Sequence, residues 1–156
     1  MVRKIFLLRH GEAAIPEHGV TDFNRHLTPK GFNQIRSLGA KLTEISYKPS
    51  IVYCSTSERT RQTCQNLTES MNQTWDVEFL EEIYEGSVRS LFEVLSQTER
   101  DLHQILLIGH NPGISFLAEY LTGENVGNMM PGQLLKLEFA LGDWSELSQQ
   151  TCSLIN

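Results

Sequence analysis

Two short, uninterrupted apolar runs constrain the fold most, because each ends in a tight turn that carries a histidine. The first runs from Lys4 to Leu8 and is followed by Arg9-His10-Gly11. The second runs from Ile105 to Ile108 and is followed by Gly109-His110-Asn111. Apolar runs of this length, closed by a turn, predict buried central strands. Ligands of α/β proteins bind at the carboxyl ends of such strands, so we expect a functional site beside the two histidines.

The rest of the chain alternates between strand and helix patterns. It predicts further strands at Ile51–Cys54, Val77–Leu80 and Leu135–Phe139, and helices that begin near Thr28, Glu58, Ser87 and Ile114. Thr28 is suited to cap a helix and Pro29 to occupy its first position. The alternation predicts an α/β fold of three layers, α/β/α, with a mostly parallel central sheet. We expect a single domain over residues 1–156, since no linker or repeat interrupts the chain.

Composition excludes several classes of protein. The formal net charge of −6 disfavours a non-specific nucleic-acid binder. No apolar run approaches the roughly 20 residues that span a bilayer, and the apolar stretch near the start is too short for a signal peptide. The three cysteines, Cys54, Cys64 and Cys152, have no metal-ligand spacing and are interpreted as small apolar residues of a reducing compartment. We therefore expect a cytoplasmic protein with no nucleic-acid or membrane partner, and we take a monomer as the default oligomeric state.

Arginines accompany the histidines at the predicted strand ends. Arg9 precedes His10, and the strand Ile51–Cys54 leads through a serine-rich turn to Arg59 and Arg61 on a helix. Zinc usually requires three or four ligands, and neighbouring guanidinium groups would repel a cation. The same charges would attract a phosphate dianion, so we expect no metal and no cofactor. Arg61 follows Arg59 by two helical positions, about 200° around the axis, and is expected to face away.

Three motifs give these residues a family resemblance. Leu7-Leu8-Arg9-His10-Gly11-Glu12 resembles the opening RHG motif of the histidine phosphatase superfamily, which includes the phosphoglycerate mutase-like enzymes. The stretch from Ser55 to Thr63 resembles its S-x-x-x-R-x-x-Q-T block, and Gly109-His110-Asn111 its third block. Arg25 to Gly31 resembles the R-x-L-T-x-x-G stretch of the same superfamily. The resemblance implies a phosphoglycerate mutase-like fold.

Within that superfamily, the chain resembles the short SixA-type phosphohistidine phosphatases. The segments that carry this likeness are Ile83-Tyr84-Glu85, Gly109 to Gly113, Met130-Pro131, and the strand Leu137-Glu138-Phe139 before Trp144. Ala13 and Pro16 replace the Ser and Asn of the mutases, which disfavours a mutase. Gly132 stands where SixA-like chains often have Thr, so the rim of the site differs from theirs.

The resemblance also implies a mechanism. His10 would be the nucleophile, with its second ring nitrogen donating to a backbone carbonyl of the following loop. Arg9, Arg59 and His110 would bind the phosphoryl oxygens, His110 most effectively as an imidazolium. Glu82 is placed by the resemblance as the proton donor, the alternative being a solvated acidic turn. Protonated imidazole leaves easily, so a phosphohistidine substrate needs this acid less than an alkyl phosphate does.

The expected function is therefore that of a metal-independent phosphatase that forms a phosphohistidine intermediate on His10. The partner would be a protein that carries phosphohistidine. Two alternatives remain: a phosphomonoesterase acting on a small phosphate ester, and a non-catalytic module that binds a phosphoprotein. The pair of His10 and His110 favours an enzyme, because a binding module has no need of a nucleophile.

Overall fold

A central sheet organises residues 2–156, the part of the chain that the computed structural model describes. In that range the sheet has six strands and four α-helices flank it. The strands are β1 (Arg3–Arg9), β2 (Ile51–Ser55), β3 (Val77–Leu80), β4 (Gln104–Gly109), β5 (Leu134–Phe139) and β6 (Cys152–Ile155). The helices are α1 (Pro29–Glu44), α2 (Glu58–Met71), α3 (Val88–Ser96) and α4 (Gly113–Thr122). Short 3₁₀ turns lie at Asp22–Asn24, Glu81–Ile83 and Trp144–Glu146.

The strand order is β3-β2-β4-β1-β5-β6. The first four strands are parallel, whereas β5 runs antiparallel to both β1 and β6. In the register of the sheet, Arg9 of β1 lies beside Gly109 of β4, and Cys54 of β2 lies beside Ile108. The three strands β1, β2 and β4 therefore end at the same level, and the residues that follow them meet at one edge.

The helices cover both faces of the sheet, which confirms the predicted three-layer architecture. Leu8 of β1 faces α1 and α2, whereas its neighbour Leu7 faces α3 and α4, and both side chains are fully buried. Strands buried on both faces read as uninterrupted apolar runs, which is why β1 and β4 were recognisable in the sequence. None of the helices within residues 2–156 has the length and apolar character needed to cross a membrane.

Most local predictions are confirmed. The Thr28 hydroxyl accepts a hydrogen bond from the Gly31 N–H at 3.0 Å, and Pro29 is the first residue of α1. All three cysteines are free and buried, as expected of small apolar residues. The strand β6 was not predicted. It is a short edge strand in which Cys152 alone is buried, so its sequence carries little alternation.

Candidate active site

The parallel pairing of β1 and β4 brings His10 and His110 together. Their ring centroids are 5.2 Å apart, and the two residues are 7% and 9% exposed. Both line a cavity of about 830 Å³ at the carboxyl ends of the strands, together with Arg9 and Arg59. Four of the predicted site residues therefore lie around one cavity.

His10 is held in a defined orientation and tautomer. Its Nδ1 lies 2.7 Å from the carbonyl oxygen of Gly11, so this nitrogen donates the hydrogen bond and carries the ring proton. The Nε2 lone pair is left unprotonated, and the Nε–H of Arg59 donates to it at 3.3 Å. Burial lowers the pKa of His10 to about 4, aided by the charges of Arg59 and Arg9 and opposed by the bond to Gly11. His10 is therefore neutral near pH 7, and its unprotonated Nε2 faces Arg59 in the cavity.

His110 is also neutral in the free protein. Burial, together with the nearby His10 and Arg59, lowers its pKa to about 3. Its Nε2 lies 2.7 Å from the hydroxyl oxygen of Ser55, which in turn accepts from the Ser57 N–H. The Ser55 hydroxyl is therefore suited to donate to Nε2, which places the ring proton on Nδ1. In the free site His110 is thus a neutral ring that offers one N–H donor, and not the imidazolium that would bind phosphoryl oxygens most effectively.

Two buried polar atoms on the cavity residues are unpaired. The Nδ1 of His110 and the Nε of Arg9 have no hydrogen-bond partner within the described chain. Arg9 is anchored by its Nη1, which donates to the carbonyl oxygen of Met129 at 2.7 Å. Buried donors are rarely left unsatisfied in proteins, so both atoms suit a site that receives an acceptor-rich ligand. A phosphoryl group offers three such acceptor oxygens.

Comparison with known proteins decides the family. The family model of the histidine phosphatase superfamily (branch 1) matches residues 5–98, well over half of the chain. The chain belongs to the histidine phosphatase superfamily. Residues 5–98 include the RHG motif with His10 and the block with Arg59.

Solved structures show the same fold along the whole chain. A Nakamurella multipartitia protein assigned as the phosphohistidine phosphatase SixA is 25% identical, with a TM-score of 0.87 over 100% of this chain and 95% of its own. The protein histidine phosphatase SixA in complex with tungstate is 23% identical, with a TM-score of 0.84 over 98% and 94%. An uncharacterized protein of Mycobacterium tuberculosis is 23% identical over 95% of this chain and 96% of its own.

Arg61 lies outside the cavity of this histidine phosphatase. Its Nε–H donates to the carbonyl oxygen of Thr56 at 2.9 Å, and its guanidinium carbon lies 4.2 Å from the centroid of the Phe79 ring. The prediction that it faces away from the site is confirmed. Arg61 thus makes a cation–π contact that covers part of the exposed Phe79 side chain.

Glu82 does not line this cavity, so the structure does not bring the expected proton donor together with the other predicted site residues. Its neighbour Ile83 is 1% exposed in the core, and the 3₁₀ turn Glu81–Ile83 therefore directs Glu82 to a separate surface hollow beside Tyr53 and Glu78. The carboxyl groups that do line the cavity are those of Glu12, Asp22 and Glu85.

Two residues that sequence reasoning gave no role, Asp22 and Tyr84, lie against the site. The Tyr84 hydroxyl donates to Asp22 Oδ2 at 2.6 Å, and the Tyr84 ring lies edge-on to the His110 ring with centroids 5.5 Å apart. Asp22 Oδ2 also accepts from Arg59 Nη2 at 3.2 Å. One feature of the sequence could have indicated a role for Asp22, namely the length of the aperiodic segment 12–26 in which it lies. Long loops in compact domains are usually functional.

Two glycines allow the loop after His10 to pack against the first turn of α1. A Cβ atom on Gly31 would lie 2.2 Å from the Glu12 carbonyl oxygen, and one on Gly11 would lie 2.8 Å from the Gly31 carbonyl oxygen. Neither distance is compatible with a side chain unless the backbone moves. Gly11 of the RHG motif and Gly31, which ends the R-x-L-T-x-x-G stretch, are therefore explained by the same close backbone approach.

Proposed function

We propose that this histidine phosphatase is a metal-independent enzyme that acts on phosphohistidine in a protein and forms a phosphohistidine intermediate on His10. The observation that carries the proposal is the 2.7 Å contact from His10 Nδ1 to Gly11, which leaves Nε2 unprotonated beside Arg59. In residues 2–156, no three His, Cys, Asp or Glu side chains are grouped so that they could hold a metal ion. Charge neutralisation is assigned to guanidinium groups instead.

In the proposed reaction, His10 Nε2 attacks phosphorus in line with the leaving group. The bond from phosphorus to the leaving nitrogen breaks as the bond to Nε2 forms, and the leaving imidazole keeps its own proton. Arg9, Arg59 and the Nδ1–H of His110 would donate to the phosphoryl oxygens, where charge is spread in the transition state. Water then attacks the phosphorylated His10 and releases inorganic phosphate, which restores the neutral imidazole.

Two features support a protein phosphohistidine as the substrate. A protonated imidazole needs no acid in the enzyme to leave, which fits the position of Glu82 outside the cavity. In addition, Phe116 lines the cavity with 53% of its surface exposed, and Met130, 68% exposed, adjoins the lining residue Pro131. Exposed apolar side chains beside a site favour contact with a macromolecule. The SixA proteins described above, which share the fold, are named for the same substrate group.

A small phosphate ester is the second candidate substrate. The observation that favours it is that the carboxyl groups of Glu12 and Glu85 line the cavity, because an alkoxide leaving group needs a proton donor. We also propose that residues 1–156 act as one domain, supported by the single sheet that extends from Arg3 to Ile155. The expected monomer stays a prediction, which light scattering on the purified protein tests.

A turnover assay in EDTA tests the proposal. The wild-type protein is compared on a phosphohistidine-containing protein and on a panel of small phosphate esters. We expect release of phosphate from the phosphohistidine protein, no turnover by the variant His10→Ala, and wild-type turnover by the control His18→Ala, which changes an exposed histidine. His10→Ala should still bind tungstate, because Arg9, Arg59 and His110 remain. Loss of activity on chelation, restored by a divalent metal, would contradict the mechanism.

A further inference from the structure

Asp22 is an unexpected residue in a cavity that is proposed to hold a phosphoryl dianion. Its carboxylate lines the cavity and would repel that ligand. It is nevertheless the most heavily bonded acidic group there. Oδ2 accepts from the Tyr84 hydroxyl at 2.6 Å and from Arg59 Nη2 at 3.2 Å, and Oδ1 accepts from Arg25 Nη1 at 3.0 Å. Three donors stabilise a carboxylate that opposes ligand binding, so Asp22 is expected to have a role other than binding the ligand.

Arg59 is the group that Asp22 holds. Both terminal nitrogens of the Arg59 guanidinium donate to Asp22: Nη1 to its backbone carbonyl oxygen at 2.7 Å, and Nη2 to its carboxylate. The third nitrogen, Nε, donates to His10 Nε2 at 3.3 Å. The planar guanidinium is thus fixed along one edge by Asp22 while its other side faces the nucleophile. Without such a clamp, an arginine side chain retains many rotamers and costs more entropy to order.

The fold also fixes Asp22 itself. It begins the 3₁₀ turn Asp22–Asn24, and the next residue, Phe23, packs edge-on against the Tyr84 ring with centroids 5.1 Å apart. The hydrogen bond from Tyr84, with those from Arg25 and Arg59, lowers the pKa of Asp22 to about 2 against the opposing effect of burial. The carboxylate therefore stays charged at any pH near neutrality and is not suited to donate a proton.

We propose that Asp22 is a positioning residue, which aligns Arg59 with His10 and the phosphoryl group while it weakens the binding of the phosphoryl anion. The proposal rests on the proposed function, since it assigns Arg59 to the phosphoryl group. Asp22 acts through Arg59 and contacts no reacting atom. Removal of its charge should therefore change binding and turnover in opposite directions, which loss of stability alone would not do.

The expected sizes follow from the geometry. A carboxylate that lines the same partly solvated cavity as a bound anion opposes its binding by about 3- to 10-fold. Asp22→Asn should therefore bind tungstate more tightly by that factor and lower the KM for an anionic substrate. Misplacement of a catalytic group by about 1 Å can cost about 100-fold in rate. We therefore expect kcat of Asp22→Asn to fall by about 10- to 100-fold.

The experiment compares four proteins: wild type, Asp22→Asn, Tyr84→Phe and Asp143→Asn. Tyr84→Phe removes the 2.6 Å hydrogen bond but keeps the charge of Asp22, so it should lower kcat less and leave tungstate affinity near that of wild type. Asp143→Asn is the matched control, since Asp143 pairs with Arg3 at 2.9 Å away from the cavity. It should leave kcat and KM unchanged. Calorimetry measures tungstate affinity, and NMR follows hydrogen exchange at the Arg59 Nε–H.

Faster exchange at Arg59 Nε–H in Asp22→Asn, with tighter tungstate binding and slower turnover, supports the proposal. Equal losses of binding and turnover, or unchanged exchange at Arg59, would overturn it. Failure of the proposed function can be distinguished from failure of the positioning role of Asp22. If the wild type hydrolyses neither phosphohistidine nor a phosphate ester, kcat and KM cannot be measured. The tungstate affinity and the Arg59 exchange rate would still decide whether Asp22 holds Arg59.

Discussion

Ser55→Ala tests whether the proton of His110 is placed by the Ser55 hydroxyl. Ser55 is fully buried, and its hydroxyl lies 2.7 Å from His110 Nε2. Alanine leaves that ring nitrogen without a partner in a site where water has little access. Loss of one partner of a buried hydrogen bond costs about 1–3 kcal/mol, so the free energy of unfolding should fall by that amount.

The rate should fall as well, because the proton of His110 is no longer directed to Nδ1. Removal of a donor that stabilises the transition state costs about 100- to 1000-fold, which is the loss expected for His110→Ala. Ser55→Ala should lose less, about 5- to 100-fold, since His110 can still adopt the donating tautomer for part of the time. In the double variant the two losses should not multiply, because Ser55 acts through His110.

Three measurements decide the outcome: kcat on the phosphohistidine protein, chemical denaturation, and the tautomer of His110 from its ring nitrogen shifts in NMR. The matched control is Ser57→Ala. Ser57 is also fully buried, but its hydroxyl bonds Thr60 Oγ1 at 2.7 Å and not His110. It should lose stability and keep its kcat. Rate losses of Ser55→Ala and His110→Ala that multiply in the double variant would refute the reasoning.

Three further predictions concern pH, the proton donor and the loop after His10. Because the pKa of His10 is about 4 in the folded protein, we expect NMR titration to show a neutral ring down to about pH 5. That pKa lies below the unfolded value of 6.5, so the free energy of unfolding should decrease as the pH falls from 6.5 through 4 in denaturation series. Glu82→Gln should leave the hydrolysis rates of both substrates unchanged. Glu85→Gln should slow hydrolysis of an alkyl phosphate by about 100-fold and hydrolysis of phosphohistidine only slightly. Equal effects on the two substrates would argue against Glu85 as the acid. Gly31→Ala, whose Cβ would meet the Glu12 carbonyl oxygen, should lose about 1–3 kcal/mol in thermal unfolding, and an unchanged Tm would contradict the close approach.

The residues at strand ends were predictable because their positions follow from local sequence. An apolar run predicts that β1 or β4 is a buried strand. In a parallel sheet, the residue that follows such a strand lies at the carboxyl end of the sheet. His10, His110 and Arg9 follow directly from this rule. The pairing of β1 with β4 joins residues about 100 positions apart, however, and apolar periodicity alone contains no information on which strands are neighbours.

The loop residues could not be predicted in the same way. Asp22 and Tyr84 are 62 positions apart, and their contact depends on how two aperiodic segments cross above the sheet. Glu82 was misplaced for a related reason: the burial of Ile83 decides which way each side chain of the turn points, and the sequence shows three acidic residues at 81, 82 and 85 without that information. Side-chain direction in a turn is set by tertiary packing, which no repeating pattern encodes.

The central place of β1 has a consequence for the order in which parts of the site open. Both edges of β1 are paired, with β4 and β5, so its amide protons should exchange with solvent only in the rarest and largest openings of the fold. Asp22 instead lies on an exposed 3₁₀ turn, and openings of such segments need far less free energy. Transient release of that turn would free Arg59 while His10 stays in place. The enzyme can thus lose and regain the alignment of its arginine in sub-global fluctuations that leave the nucleophile protected.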